Sequence, residues 1–121
     1  MENKKTLVIG ASDDSSRYSN MAIKSLRKHN HDVEGIGNRP GNVLDVSFGK
    51  EKKDFEGIDT VTLYINPGRQ PDYYDYIFSL HPKRIIFNPG TENPELERLA
   101  EKQGIKAMEA CTLVLLSTGQ F

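Results

Sequence analysis

Short apolar runs that end at glycine or asparagine alternate along this chain with amphipathic stretches. Residues 5–9, 60–65 and 84–87 are runs of mostly apolar and β-branched residues, typical of strands buried on both faces of a sheet. Two shorter runs, residues 33–36 and 105–108, predict further strands. Because helical patterns separate most of these runs, we expect a doubly wound parallel sheet of about five strands in a three-layer α/β/α arrangement.

Capping residues and apolar faces give the bounds of the predicted helices. Residues 19–29 have one apolar face, and Ser19 is expected to be the N-cap. In the stretch RQPDYYDYIFSL, Pro71 lies near the start of a second helix. A third helix is expected to begin after Asn93 as N-cap and to run through Gln103.

Two segments are ambiguous from their pattern alone. Residues 43–58 predict a short helix or an edge segment, followed by a charged surface loop. The tail from residue 111 onward predicts a last, largely buried helix or turn. No repeat or linker divides the chain, so we expect residues 1–121 to form one domain.

Composition excludes several classes of function. The chain has 16 basic and 17 acidic residues, which favours neither nucleic acid nor a membrane surface as partner. No apolar run approaches the roughly 20 residues that span a bilayer, and a signal peptide is not expected. The single cysteine, Cys111, predicts a buried free thiol, and the three histidines are expected on the surface. We expect no metal site and a reducing, bacterial-type cytoplasm.

The loops that follow three of the strands are candidates for a ligand site. Gly10, Asn66-Pro67-Gly68 and Asn88-Pro89-Gly90 come directly after apolar runs. Ligands of open parallel sheets bind at the carboxyl ends of the strands, where the strand order reverses. Each loop alone also suits an ordinary turn, but their coincidence at one sheet edge favours a site.

The first loop does not match a dinucleotide-binding turn. Gly10, Ser12 and Ser15 stand where the G-x-G-x-x-G pattern requires three glycines. The acid that would hold a ribose hydroxyl is also missing, because Arg39 follows the second strand instead. NAD is therefore disfavoured, and a ribose phosphate, as in NADP or coenzyme A (CoA), suits that arginine better.

The same loop has the features of an anion site at a helix N-terminus. Backbone N–H groups, the Ser12 and Ser19 hydroxyls and Arg17 are expected to lie together there. Asp13 and Asp14 are expected to face solvent, since they would repel a phosphate. No nucleophile–base pair or carboxylate pair with catalytic spacing accompanies the loop, so the sequence predicts binding without catalysis.

An ordered set of motifs resembles a known family. VIGASDDSSRYSNMAIKSL, VEGIGNRPG, TLYINPG, IIFNPGTENPELERLAEKQGI and MEAC resemble, in this order, the CoA-binding domain family. Its members are small Rossmann-like proteins similar to the CoA-binding domain of the succinyl-CoA synthetase α subunit. The resemblance covers residues 5–112 and implies a five-stranded parallel sheet that holds CoA across its carboxyl edge.

The resemblance also implies which residues contact the ligand. They are Gly10, Ala11, Ser12, Arg17, Tyr18 and Ser19 at the diphosphate; Asn38, Arg39 and Pro40 at the adenosine end; Ile65, Asn66 and Pro67 beside adenine and pantetheine; and Asn88, Pro89 and Gly90 along the pantetheine arm. The second loop, IGNRPG, departs from the family pattern, and this makes the adenosine contacts the least defined.

Three functions remain open from the sequence. The first is non-catalytic binding of CoA or an acyl-CoA by a monomer or weak homodimer, since the phosphohistidine domain of the synthetase has no counterpart here. The second is a small NADP-dependent oxidoreductase or another nucleotide-using enzyme, which Arg39 supports. The third is an interaction subunit with a vestigial pocket, for which Tyr73, Tyr74 and Tyr76 could supply the surface.

Overall fold

The computed structural model describes residues 2–121 and shows a five-stranded parallel sheet between two layers of helices. The elements are β1 (Thr6–Ala11), α1 (Tyr18–Lys28), β2 (Val33–Gly37), β3 (Gly41–Val43), β4 (Val46–Phe48), β5 (Thr60–Leu63), a 3₁₀ helix (Pro67–Tyr73), α2 (Tyr74–Ser79), β6 (Arg84–Phe87), α3 (Pro94–Lys102), β7 (Lys106–Glu109) and α4 (Thr112–Ser117). The strand order is β2-β1-β5-β6-β7. The predicted Rossmann-like α/β fold is confirmed.

Alternate residues of the central strands pack against opposite helical layers. Leu7 and Ile9 of β1 belong to one core cluster, which includes residues of α2 and α3. Val8, between them, belongs to the other cluster with Ile23 of α1 and Leu116 of α4. All of these side chains are almost fully buried. Complete burial of one such side chain contributes about 1.5–3 kcal/mol, which explains why the strands read as continuous apolar runs.

The strand order reverses between β1 and β5, and the backbones approach each other closely at that point. The Tyr64 N–H donates to the Ile9 carbonyl over 2.8 Å, directly after β5 ends. Gly10 has a φ of +97°, and a Cβ at this position would lie 2.9 Å from the carbonyl carbon and oxygen of Tyr64. Glycine is therefore required here for its conformation and for its small size.

The ambiguous segment folds as an antiparallel hairpin, β3–β4, followed by the expected charged loop. Gly41 pairs with Phe48, and Asp45 lies at the turn. The Arg27 side chain of α1 donates to both Asp45 carboxylate oxygens over 3.0 and 2.9 Å, which ties the hairpin to the helix. Each strand has three residues, too few for an alternating pattern to be recognised.

The predicted N-cap of α1 is wrong, whereas that of α3 is confirmed. The helix begins at Tyr18 after Arg17, and Ser19 is a buried residue inside its first turn. A turn already precedes the helix at Asp14, because the Asp14 carbonyl accepts from the Arg17 N–H over 3.0 Å. Asn93 caps α3 as expected, with its side-chain oxygen accepting from the Leu96 N–H.

The prediction that all the histidines lie on the surface is wrong for His31. Its side chain is buried, its Nδ1 accepts from the Lys4 N–H over 2.9 Å, and its ring contacts that of Phe121. Burial lowers the pKa of the imidazole, with a smaller contribution from nearby positive charges, so the neutral form is favoured. The polar neighbours in the sequence did not reveal this packing, because it joins both ends of the described chain.

The Gly10 constraint predicts a large loss of stability for Gly10→Ala. Gly57 is the matched control, since it also has a positive φ but has no atom near the position of a Cβ. We expect Gly57→Ala to lose about 1 kcal/mol from its conformation alone. Gly10→Ala should lose at least about 2 kcal/mol more, because its Cβ meets fixed backbone. Urea unfolding measures both, and equal losses would contradict the steric constraint.

Candidate functional site

A cleft of about 620 Å³ opens at the carboxyl edge of the sheet, over the point where the strand order reverses. Loops after β1, β2, β5 and β6 form its walls, together with the first turn of α1 and one side chain of the hairpin. The lining residues are Gly10, Ala11, Ser12, Asp13, Asp14, Arg17, Tyr18 and Ser19; Asn38 and Arg39; Phe48; Tyr64, Ile65, Asn66 and Arg69; and Pro89, Gly90 and Thr91.

Most residues that the sequence assigned to a site are thus brought together in one cleft. The exceptions are Pro40, Pro67 and Asn88, which do not line it. Asp13, Asp14, Phe48, Tyr64, Arg69 and Thr91 line it although they were not assigned. Both aspartates are exposed, as expected, but they are exposed at the cleft. Tyr64 was not assigned because the strand was expected to run through residue 65, whereas β5 ends at Leu63. Phe48 lay in the segment whose fold was ambiguous.

Asn88 holds the sheet together beneath the cleft. Its side-chain NH₂ donates to the Thr62 hydroxyl over 2.7 Å and to the Leu63 carbonyl over 2.8 Å. Its side-chain oxygen accepts from the Thr112 N–H at the start of α4 over 2.9 Å. The side chain is almost fully buried, and these bonds join β5, β6 and α4 below the lining of the cleft.

The first turn of α1 faces the cleft without a side-chain cap. Arg17 occupies the N-cap position and makes no capping hydrogen bond, whereas Asn66 and Asn93 cap their helices. The preceding loop is held in place by Asn20, whose side chain donates to the Ser12 carbonyl over 3.1 Å. Uncapped N–H groups and the helix dipole attract anions, so this turn has the features that favour an anion.

Three arginines line the cleft, and their partners differ. The Arg39 side chain contacts the Asp13 carboxylate at 3.2 Å, and Arg17 lies 3.9 Å from Asp14. Hydrogen bonds from Ser16 lower the pKa of Asp14, so that carboxylate stays ionised. Arg69 instead donates to the neutral side-chain oxygen of Asn38 over 2.6 Å.

Buried amides join the loops that form the far wall. The Gln70 side chain is completely buried and donates to the Ile65 carbonyl over 3.1 Å and to the Thr91 carbonyl over 2.7 Å. Its oxygen accepts from the Asn93 side chain over 2.9 Å. The loops after β5 and β6 are therefore fixed relative to each other before any ligand arrives.

A tyrosine hydroxyl and a cysteine thiol also lie at the carboxyl edge of the sheet. Burial raises the pKa of the Tyr64 hydroxyl, which therefore stays protonated. Cys111 is a free thiol at the N-cap of α4, outside the cleft lining, and it is half-buried instead of buried as predicted. Within residues 2–121, no three His, Cys, Asp or Glu side chains are grouped to hold a metal. None of the helices in that range is long and apolar enough to cross a bilayer.

The fold and the cleft define a small Rossmann-like protein with a cleft at the point where the strand order reverses. A family model of the CoA-binding domain matches residues 4–117, so the chain belongs to the CoA-binding domain family. The predicted resemblance is confirmed over nearly the whole chain. A comparison with curated proteins finds no match.

Solved structures show the same fold. A crystal structure of an uncharacterized protein is 48% identical, with a TM-score of 0.97 and all of both chains covered. A hypothetical protein from Pyrococcus horikoshii OT3 is 24% identical with a TM-score of 0.87, covering 97% of this chain and 84% of that one. A Thermus thermophilus protein, cell-free ID.343, is 20% identical with a TM-score of 0.85, covering 98% and 91%.

The role of Asn88 as a clamp predicts that Asn88→Ala unfolds more easily. The substitution leaves the buried Thr112 N–H and the Leu63 carbonyl each with one partner fewer, and we expect a loss of about 2–3 kcal/mol. Asn42→Ala, at an exposed position of the hairpin, is the control, with an expected change within about 0.5 kcal/mol. Urea unfolding compares the two variants, and a small effect at Asn88 would contradict the clamp.

Proposed function

We propose that this protein binds CoA or an acyl-CoA in the cleft and has no catalytic activity of its own. The observation that carries the proposal is the uncapped first turn of α1, which opens into a cleft lined by three arginines. Membership of the CoA-binding domain family supports the ligand class. A cleft of about 620 Å³ is also of the size that small-molecule ligands occupy.

The polar and apolar parts of the cleft suit the parts of CoA. We assign the diphosphate to the α1 turn with Ser12 and Arg17, where the helix dipole and a cation favour negative charge. The adenosine end is assigned to the side of Arg39 and Phe48. The pantetheine arm is assigned to the loop of Pro89 and Gly90.

The absence of catalysis is proposed from the groups that the cleft offers. Of its two carboxylates, Asp14 accepts two hydrogen bonds from Ser16 and Asp13 contacts Arg39. The Tyr64 hydroxyl stays protonated. No pair of these groups has the arrangement of a nucleophile next to a base that is itself oriented by a third group.

A second candidate is a small NADP-dependent oxidoreductase, favoured by the position of Arg39 in the cleft directly after β2. The interaction-subunit hypothesis has less support, because its tyrosines have partners within the chain. The Tyr74 hydroxyl donates to Glu95, the Tyr76 hydroxyl donates to the Lys53 carbonyl, and the ammonium group of Lys52 lies over the ring of Tyr73.

The proposal predicts that CoA stabilises the folded protein whereas NAD does not. A ligand at about 100 times its dissociation constant adds roughly 2.7 kcal/mol to the free energy of unfolding. For a domain of this size the melting temperature should rise by about 10 °C. Thermal unfolding with millimolar CoA, acetyl-CoA, NAD and NADP measures this. If neither CoA nor acetyl-CoA changes the melting temperature, the proposal is wrong. A rise in melting temperature with NADP alone would favour the second candidate.

The phosphate assignments predict different effects at two arginines. CoA and dephospho-CoA share the diphosphate and differ only in the 3′-phosphate, which we assign to Arg39. Arg39→Ala should weaken CoA binding about tenfold and leave dephospho-CoA nearly unchanged, whereas Arg17→Ala should weaken both alike. Arg98→Ala, on the exposed side of α3, is the control. Calorimetric titration measures the affinity of each variant for both ligands. If Arg39→Ala weakens the binding of CoA and dephospho-CoA equally, Arg39 does not hold the 3′-phosphate.

A further inference from the structure

Two carboxylates, those of Asp13 and Asp14, line the cleft although its proposed ligand is anionic. Only one of them stabilises the shape of the loop after β1. The Asp14 carboxylate accepts from the N–H and the hydroxyl of Ser16 over 2.9 and 2.7 Å, so it shapes the turn before α1. The single hydrogen bond that Asp13 receives from the described part of the chain comes from the Arg39 side chain over 3.2 Å. The first loop does not depend on Asp13 for its shape.

The Asp13 side chain lies between two walls of the cleft. It belongs to the loop after β1, and Arg39 belongs to the loop after β2. Its Cβ and one carboxylate oxygen also lie 3.2 Å from the position that a Cβ on Gly41 would take. The carboxylate is thus placed against the start of the hairpin, on the same side of the cleft as Phe48.

The contact between Asp13 and Arg39 is of the kind that a ligand can displace. It is a single hydrogen bond, and the two side chains are 41% and 75% exposed. Exposed ion pairs of this kind contribute little to stability, so exchanging one acceptor for another on Arg39 costs little. A phosphate offers more acceptor oxygens and more charge than a carboxylate. It would nevertheless meet the negative charge of Asp13 next to it.

We propose that Asp13 is a specificity-determining residue that occupies Arg39 in the unliganded cleft and competes with the ligand for it. This inference rests on the proposed function. A ligand with the diphosphate alone binds at the α1 turn and leaves the pair between Asp13 and Arg39 intact. A ligand that also carries the 3′-phosphate must displace Asp13, so the carboxylate lowers the affinity for CoA more than that for dephospho-CoA.

The experiment is calorimetric titration of CoA and of dephospho-CoA into the wild-type chain, Asp13→Asn, Arg39→Ala and the double variant. Asp13→Asn should tighten CoA binding about fivefold and change dephospho-CoA binding less than about twofold. In the Arg39→Ala background the gain for CoA should vanish. Asp13→Glu, which keeps the charge, should tighten neither ligand.

A matched control separates local competition from the net charge of the protein. Glu2→Gln removes one negative charge from an exposed residue before β1, at the end of the sheet opposite the cleft, and should change neither affinity. Melting temperatures of all variants show whether each one is folded before titration.

Distinct results overturn this inference and the proposed function. If wild-type protein binds neither CoA nor acetyl-CoA, the proposed function fails. If it binds CoA but Asp13→Asn leaves the affinity unchanged, tightens both ligands equally or weakens CoA, the competition is wrong. Weaker CoA binding would show instead that Asp13 orients Arg39 for the ligand.

Discussion

The close approach of Gly10 to the Tyr64 carbonyl is the constraint on which the cleft depends. It allows β1 and β5 to continue as neighbours to the point where the chain leaves the sheet in opposite directions. The loop after β1 then enters α1, whose first turn faces the cleft, while the loop after β5 supplies Arg69 to the opposite wall. A side chain at residue 10 would push these two walls apart.

Bonds between the loops complete the site, and neutral groups supply most of them. Gln70 links the loops after β5 and β6, and Asn88 anchors the strands below them. The bond from Arg69 to Asn38 joins the loop after β5 to that after β2. Because these contacts exist without ligand, less conformational entropy is lost on binding than if the loops were ordered by it. The folding of the protein and the geometry of its cleft therefore share the same contacts.

The sequence was sufficient to predict the elements that have a long apolar pattern or characteristic turn residues. Buried strands show as apolar runs because both of their faces are covered, and the loops after them meet at one edge by topology. The hairpin was not predicted because its three-residue strands are too short to show an alternating apolar pattern. For the same reason Phe48 was not assigned to the cleft. Arg69 and His31 were missed because their contacts, with Asn38 and with Phe121, join distant parts of the chain.

The types of side chain around the cleft have a consequence for its response to acidity. Among the lining residues that the structure describes there is neither histidine nor cysteine. The bonds that join the loops after β2, β5 and β6 run between amides, a guanidinium group and backbone carbonyls. Histidine is the side chain that ordinarily gains a proton between pH 8 and pH 5. A phosphate monoester takes up its second proton near pH 6. No lining side chain of the cleft ordinarily takes up a proton in this range, so a change in affinity across neutral pH is expected to follow the ionisation of the proposed ligand's own phosphate.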